Sequence, residues 1–503
     1  MRAERAFRKL LDHLRDCGTL SATISLLDWD QETHMPPGGA ALRATQLAQL
    51  AEVLHRKRSS RTLGRLLEEA QPLAEGRPPD SDEAAILREA KHDHDRATRI
   101  PAKLAAERAK LRSLAREAWA DAREKRDFAI FLPWLTKVFH LMRRWGEALS
   151  RGESPYDALV EDYEPGQTSA EIRNIFGPLE TALRSLLRRI EASGRTVDTA
   201  PLSRPCPLDA QRAFAKTATT AIGFDYARGT LDDTLHPFCS TLSPDDIRLT
   251  SRYQERAFAD GLYSALHEAG HGIYEQGLPK DHFGTPLCDA CSFGVHESQS
   301  RLLENLVGRS LGFWRHILPL ARKAFPGALD GATPEALYRA VNEVRPSFIR
   351  VDADEVTYNL HIFLRFDLEQ ALLRKDLAPE DLPGAWNERF KASFGMTPTD
   401  DAEGCLQDIH WSICLVGYFP TYTLGNVYAA QLFDRARKDL GDLDAAFARG
   451  EFGPLKDWLH ERIHRHGRRY RAKELIERAA GALPSPEPLL SHLEGRAADV
   501  YGL

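Results

Sequence analysis

The residues best equipped for chemistry are His267, Glu268 and His271, which spell HEAGH inside a run whose apolar residues Leu262, Leu266, Ala269 and Ile273 recur at helical spacing. Positions four apart share one face of a helix. Both imidazoles can therefore reach one Zn²⁺ at about 2.0–2.1 Å while the carboxylate between them handles a water on the metal. That order of residue types is the signature of a zinc hydrolase with Glu268 as general base. A second HExxH follows at His460, Glu461 and His464. With 18 histidines in 503 residues, a chance HExxH is expected in roughly one such chain in twenty, so one of the two copies reads as an accident. HEAGH encloses only Ala269 and Gly270. HERIH carries Arg462 inside the motif and Arg465, Arg468 and Arg469 just after it, a field that repels a dication. The second copy, and the basic run 462–473 around it, read as a solvated helix face.

The elements that must position these groups are mostly helical. Thr168 and Glu171 form a capping box, Thr333-Pro334 starts another helix with proline at its first position, and Pro101 opens a long helical segment to about Lys125. Loops are marked at 71–80, 331–333 and 483–488. Strand character is confined to residues 236–252, which alternate like a hairpin around Ser243-Pro244-Asp245 directly before HEAGH. An edge strand there can hold an extended peptide by main-chain hydrogen bonds. The expected fold is mainly α, with a small β-sheet next to the HExxH helix.

Two histidines leave a zinc short of ligands. A helical run beginning with His296, 25 residues beyond His271, supplies Glu297 as the third. A His₂Glu set leaves the fourth position to water. Taken alone, Glu297 would read as a solvent-facing helix carboxylate, and only HEAGH makes it a ligand. Gly270 fits the same picture, because glycine inside a helix costs about 1 kcal/mol relative to alanine and signals a close neighbour, expected here to be the Glu297 helix. The competing donor set is Cys288 and Cys291 with the two histidines, a closed structural site that would leave Glu268 without purpose.

Nine further segments occur in order from residue 29 to 422: Trp29-Asp30; Met35-Pro36-Pro37-Gly38-Gly39; Tyr163-Glu164-Pro165-Gly166; His236-Pro237-Phe238; Asp246, Arg248 and Thr250 as DxRxT; His296-Glu297-Ser298-Gln299-Ser300-Arg301; Ile349, Arg350, Ala353 and Asp354 as IRxxAD; Gly404, Gln407, Asp408, His410 and Trp411 as GxxQDxHW; and Gly417 through to Tyr422 as GYFPTY. With HEAGH, this series resembles the Taq-type metallocarboxypeptidases, relatives of neurolysin and angiotensin-converting enzyme. The resemblance implies a helical saddle with a deep groove, one catalytic domain over residues 1–503 in two helical halves, and a homodimer. It implies one zinc per subunit, with cobalt possible, held by His267, His271 and Glu297, and Glu268 as base. It also implies removal of single residues from free C-termini, broad side-chain tolerance and poor action on C-terminal proline. Arg350 matches the receptor for the substrate's terminal carboxylate, which a planar guanidinium can grip bidentately; a structural pairing with Asp352 or Asp354 stays open. His410 and Tyr422 are donors for the tetrahedral oxyanion, with Tyr418 competing for the tyrosine role. Asp246 and Arg248 either contact substrate or form an ion pair shaping the groove wall, and His236 and Gln407 join the substrate-binding set.

Composition narrows the alternatives. A hydrophobic fraction of 43% and a charged fraction of 28% are those of a globular protein, and a net charge of −6 argues against a nucleic-acid partner. No apolar run approaches the roughly 18 residues a membrane span needs, and the N-terminus lacks an apolar signal core. The seven cysteines form an odd set consistent with reduced thiols, so the expected location is the cytoplasm. There is no repeat, phosphate loop or GxSxG elbow. His92 and His94 read as a solvated face, and His361 as a core histidine. An oligopeptidase or dipeptidyl carboxypeptidase on the same scaffold is the nearest rival, and a helical scaffold with a structural zinc is the remote one.

Overall fold

The computed structural model describes residues 2–503. The chain forms two compact units, each assembled from separated stretches. Unit 1 comprises the described residues up to Thr98, Asp198–Val341 and Tyr428–Leu483; unit 2 comprises Arg99–Val197, Asn342–Val427 and Pro484–Leu503. Helices dominate both, and among the described residues there is one three-stranded sheet, in unit 1. No described helix is long and apolar enough to cross a membrane.

In unit 1, the helices that matter for the site are α1 (Arg2–Thr33), α2 (Asp82–Arg99), α3 (Phe258–Gly277) and α4 (Phe293–Arg301). Serine starts α4, since Ser292 Oγ accepts the Val295 N–H at 3.0 Å. The expected hairpin is present as β2 (Cys239–Ser243) and β3 (Asp246–Ser251), antiparallel, with a register shift between Thr241 and Ser243. β1 (Gly229–Asp233) adds to the other side of β3 in parallel, giving the order β1-β3-β2. Its sequence, GTLDD, is poor in β-formers and gave no strand signal. Ile247 and Leu249 face inward from β3, fully buried, while Asp246 and Arg248 share the opposite face. The sheet lies tight against α3. A Cβ on Gly272 of α3 would stand 2.9 Å from Leu249 and 2.6 Å from Phe224, so only glycine permits this approach.

Unit 2 is organised around α5 (Thr357–Arg374), almost every residue of which is buried, including His361, Arg365 and Glu369. Such a helix has no solvent face and is a core element. Asp354 starts it by accepting from the Val356 and Thr357 N–H groups at 2.9 and 3.0 Å, and Lys375 ends it in the left-handed conformation at φ 67°. The capping box of Thr168 and Glu171 opens the helix Ser169–Ala192 as expected, and Pro101 precedes the helix Ala102–Lys125. His361 lies in this core against Phe390 and Phe394, with ring centroids 5.6 and 4.6 Å away.

Two expectations fail in unit 1. The basic run 462–473 is not a solvated face, because Arg468 pairs with Glu89 and Asp93 at 3.1 and 2.7 Å and Arg469 pairs with Asp82 at 2.6 Å, all on α2. Glu89 is only 1% exposed, and a buried carboxylate requires such partners. His94, read as solvated, instead packs over Gly64, where a Cβ would meet its ring at 2.9 Å, and its Nε2 lies 3.2 Å from the Ser60 carbonyl. In both cases charge density along the chain conceals a partner distant in sequence.

Candidate active site

The site begins where α3 meets α4. A Cβ on Gly270 would lie 2.5 Å from Ser300 Cα and 2.6 Å from the Gln299 carbonyl, so the missing side chain lets the two helices touch backbone to backbone. The neighbour is the Glu297 helix, as Gly270 predicted. This contact brings Glu297 Oε2 to 3.6 Å from His267 Nε2 and 3.5 Å from His271 Nε2. Ligands held at about 2.1 Å around one tetrahedral ion stand about 3.4 Å apart, so the donor spacing fits a zinc-sized metal. Among the described residues, these three form the only His, Cys, Asp or Glu group close enough to hold an ion. Cys288 and Cys291 do not join it, which removes the closed structural site. The Cys288 thiol is pushed up to about 12 by burial.

The surroundings tune each group. Glu268 is 7% exposed, and burial first, then the neighbouring Glu297, raises its carboxyl to about 7 against the pull of His267. His267 Nδ1 lies 2.9 Å from Glu304 Oε2. Burial disfavours a charge on His267, but Glu297 and Glu304 outweigh it and its pKa rises. His271 shares Glu297 but, among the described residues, has no second carboxylate like Glu304; its ring stacks on His296 at 4.4 Å and 24°, and burial followed by the nearby His296 and His267 pushes its pKa well down. His296 is in turn tied to Glu275 at 2.8 Å. Sequence reasoning missed Glu304. Its spacing, seven residues beyond Glu297, is helical, but the α-helix ends at Arg301 and a π-helical turn sets where Glu304 points.

On β3 the Asp246–Arg248 pair is bidentate, with Nε to Oδ1 at 3.0 Å and Nη2 to Oδ2 at 3.1 Å, and the guanidinium lies over the Trp29 ring at 4.2 Å. His236 is exposed in the connection between β1 and β2. In unit 2, Arg350 donates from Nε and Nη2 to Asp408 Oδ1 at 3.0 and 2.8 Å, and from Nη1 to the Tyr358 hydroxyl at 2.9 Å. Its ion-pair partner is thus Asp408 rather than Asp352 or Asp354. Arg365, fully buried, pairs with the other oxygen of Asp408 at 2.5 Å, and the two guanidiniums hold that carboxyl far below its usual range despite burial. Gln407 braces this cluster: its Oε1 accepts the Arg350 N–H at 2.8 Å and its Nε2 donates to the Phe348 and Glu403 carbonyls. His410 Nε2 lies 3.1 Å from the Tyr422 hydroxyl, and burial lowers the His410 pKa to about 3. Tyr418 stands edge-on to Tyr163 and to Tyr422, at 5.1 and 5.3 Å between centroids.

HERIH is built differently. Its helix, Gly453–Arg462, stops inside the motif, with Ile463 at φ −126° and ψ −61° and His464 beginning a 3₁₀ turn. His460 and Glu461 are exposed, and Glu461 pairs with Arg465. His464 is buried, contrary to the solvated reading, with Nε2 3.0 Å from Gln299 Oε1 and its ring against Gly277 of α3.

Residues 9–497 match the family described as Carboxypeptidase Taq (M32) metallopeptidase. The chain belongs to this family. It is 47% identical to Thermostable carboxypeptidase 1 of Thermus thermophilus over the full length of both, and 36% identical to Carboxypeptidase 1 of Bacillus subtilis over 98% of each. The crystal structure of the M32 carboxypeptidase from Deinococcus radiodurans superposes with a TM-score of 0.95 at 38% identity, covering 99% of this chain and 100% of that one. Metallocarboxypeptidase 1 of Trypanosoma cruzi gives 0.94 at 34% identity, with 98% and 99% covered. The protein is accordingly an M32 metallocarboxypeptidase, a hydrolase of peptide bonds that uses a metal.

Proposed function

We propose that this M32 enzyme is a zinc carboxypeptidase that releases single residues from peptides with a free C-terminal carboxylate, with broad side-chain tolerance and poor action on C-terminal proline. The observation that carries the reading is the convergence of His267 Nε2 and His271 Nε2 on one oxygen of Glu297, beside the buried Glu268. Two imidazoles and a carboxylate suit one zinc per chain, and cobalt is compatible with the same donors. Bound zinc would supply Lewis acidity and lower the pKa of a water toward neutrality. Glu268, with its carboxyl raised to about 7, takes the proton of the attacking water and passes it to the departing amine.

The same proposal assigns Arg350 to the substrate's terminal carboxylate. Arg350 and Arg365 are both buried and share a single carboxylate, Asp408, so a substrate anion would balance their surplus positive charge. His410 and Tyr422 are assigned to the oxyanion, where each donor is worth roughly 2.7–4 kcal/mol; the neutral His410 and its hydrogen bond to Tyr422 favour this pair over Tyr418. Asp246 and Arg248 act as an ion pair that shapes the substrate wall, with His236 and Gln407 supporting the substrate segments. Residues 1–503 work as one catalytic domain in a cytoplasmic homodimer; that assembly and the breadth of specificity rest on the family likeness. The test pairs metal content with digestion of one peptide in free and amidated forms. Stepwise loss of single residues from the free form alone is expected, while release of dipeptides or cleavage of the amidated form would move the activity to an oligopeptidase.

A further inference from the structure

Glu297 offers two oxygens, and they have different surroundings. Oε2 faces both histidine nitrogens, at 3.6 and 3.5 Å, with the Ser300 hydroxyl 3.1 Å away. Oε1 accepts from Arg301 Nε at 2.8 Å, one helical turn on. The same guanidinium donates from Nη1 to Glu304 Oε2 at 3.0 Å, and that oxygen also meets His267 Nδ1 at 2.9 Å. A closed circuit results: Glu297, Arg301, Glu304, His267 and back to Glu297. Arg309 supports it from outside, its Nη2 being 3.5 Å from Glu304 Oε1. The backbone explains how Glu304 arrives there. α4 ends at Arg301 and the chain continues as a π-helical turn, Leu302–Val307, whose wider winding resets the direction of the side chains that follow; such turns recur at functional sites. The side chains of Glu297, Arg301 and Glu304 are 9, 15 and 11% exposed, so their interactions are little screened by water.

We propose that Arg301 and Glu304 form a clamp that determines how this site takes its metal, a step that rests on the metal-site reading above. Arg301 occupies Oε1, so Glu297 would hold a metal through Oε2 and would leave room for water. Glu304 accepts the Nδ1 proton of His267, fixing the tautomer whose Nε2 lone pair faces the metal. His271 is held by stacking on His296 instead, so the clamp acts on one side of the site only.

Metal affinity measured by competition with a chromophoric chelator, and the visible spectrum of the cobalt-loaded protein, test this without reference to turnover. Glu304→Gln, which keeps the shape of the side chain, should weaken zinc binding by about 10–100-fold. Arg301→Met should free Oε1 to chelate, raising the coordination number and weakening the cobalt d–d bands relative to the parent. Glu297→Ala is the control and should bind most weakly. Parent-like affinity and parent-like cobalt spectra in both clamp variants, with binding lost only in Glu297→Ala, would overturn the clamp and leave the ligand assignment standing. Parent-like binding in Glu297→Ala would overturn the assignment itself.

Discussion

In HEAGH both histidines sit within one unbroken helix; in HERIH the helix ends between them. The ring centroids are 4.9 Å apart in the first and 6.1 Å in the second, but the larger difference lies in what surrounds them. Glu268 is buried, its carboxyl raised to about 7, whereas Glu461 is exposed and paired with Arg465, which lowers its pKa. His267 and His271 converge on Glu297, whereas His464 turns to Gln299 and His460 faces solvent. Five letters specify a metal site only when the backbone stays helical through all of them and a second element supplies the missing ligand. The second copy has a different use: by filling the space over Gly277 and meeting Gln299, His464 packs behind the helices that carry the first.

The contrast can be broken at several points. The largest effect is expected at the two glutamates. Glu268→Gln should lower kcat by roughly 10²–10⁴-fold through loss of proton transfer, with metal retained, while Glu461→Gln should leave kcat unchanged. Steady-state kinetics beside metal analysis decides this. Full activity in Glu268→Gln would remove the base from the mechanism.

Next in size is the helix contact. Gly270→Ala drives a methyl into the Ser300 backbone at 2.5 Å and should destabilise the fold by about 1–3 kcal/mol while weakening metal binding. Arg462→Ala, at an exposed position inside the second motif, should change stability by no more than about 0.5 kcal/mol. Denaturant unfolding of the two metal-free variants makes the comparison.

Effects confined to stability, with no change at the metal, are expected at His464. His464→Ala should cost about 1–3 kcal/mol, because it leaves Gln299 buried without this partner, and should not change metal stoichiometry. Burial holds His464 neutral, lowering its pKa from 6.5 to about 3. As pH falls from 6.5 toward 3, the unfolded chain takes up a proton that the folded chain resists, so stability is lost over that window. His464→Gln should flatten that part of the stability profile; an unchanged slope would show that His464 is not the group responsible.

Much of the site was legible because its chemistry is local. HEAGH, the spacing to Glu297 and the close approach at Gly270 follow from helical periodicity and residue type, and the hairpin before α3 follows from alternation. Parts built by long-range contacts were not legible. Asp408 as the partner of Arg350, β1 as the third strand, and the burial of His464 and Arg468 depend on segments tens to hundreds of residues away. Glu304 falls between these cases, since its spacing is helical but its direction is set by a π-helical turn that no pattern of apolar residues announced.

HEAGH is expected to hold the metal and HERIH to serve only the fold. Metal stoichiometry by elemental analysis, after dialysis against a dilute chelator, decides this when the parent is compared with His271→Ala and His460→Ala. One zinc per chain is expected in the parent and in His460→Ala, and none in His271→Ala. Retention of zinc by His271→Ala, or its loss from His460→Ala, would contradict that expectation.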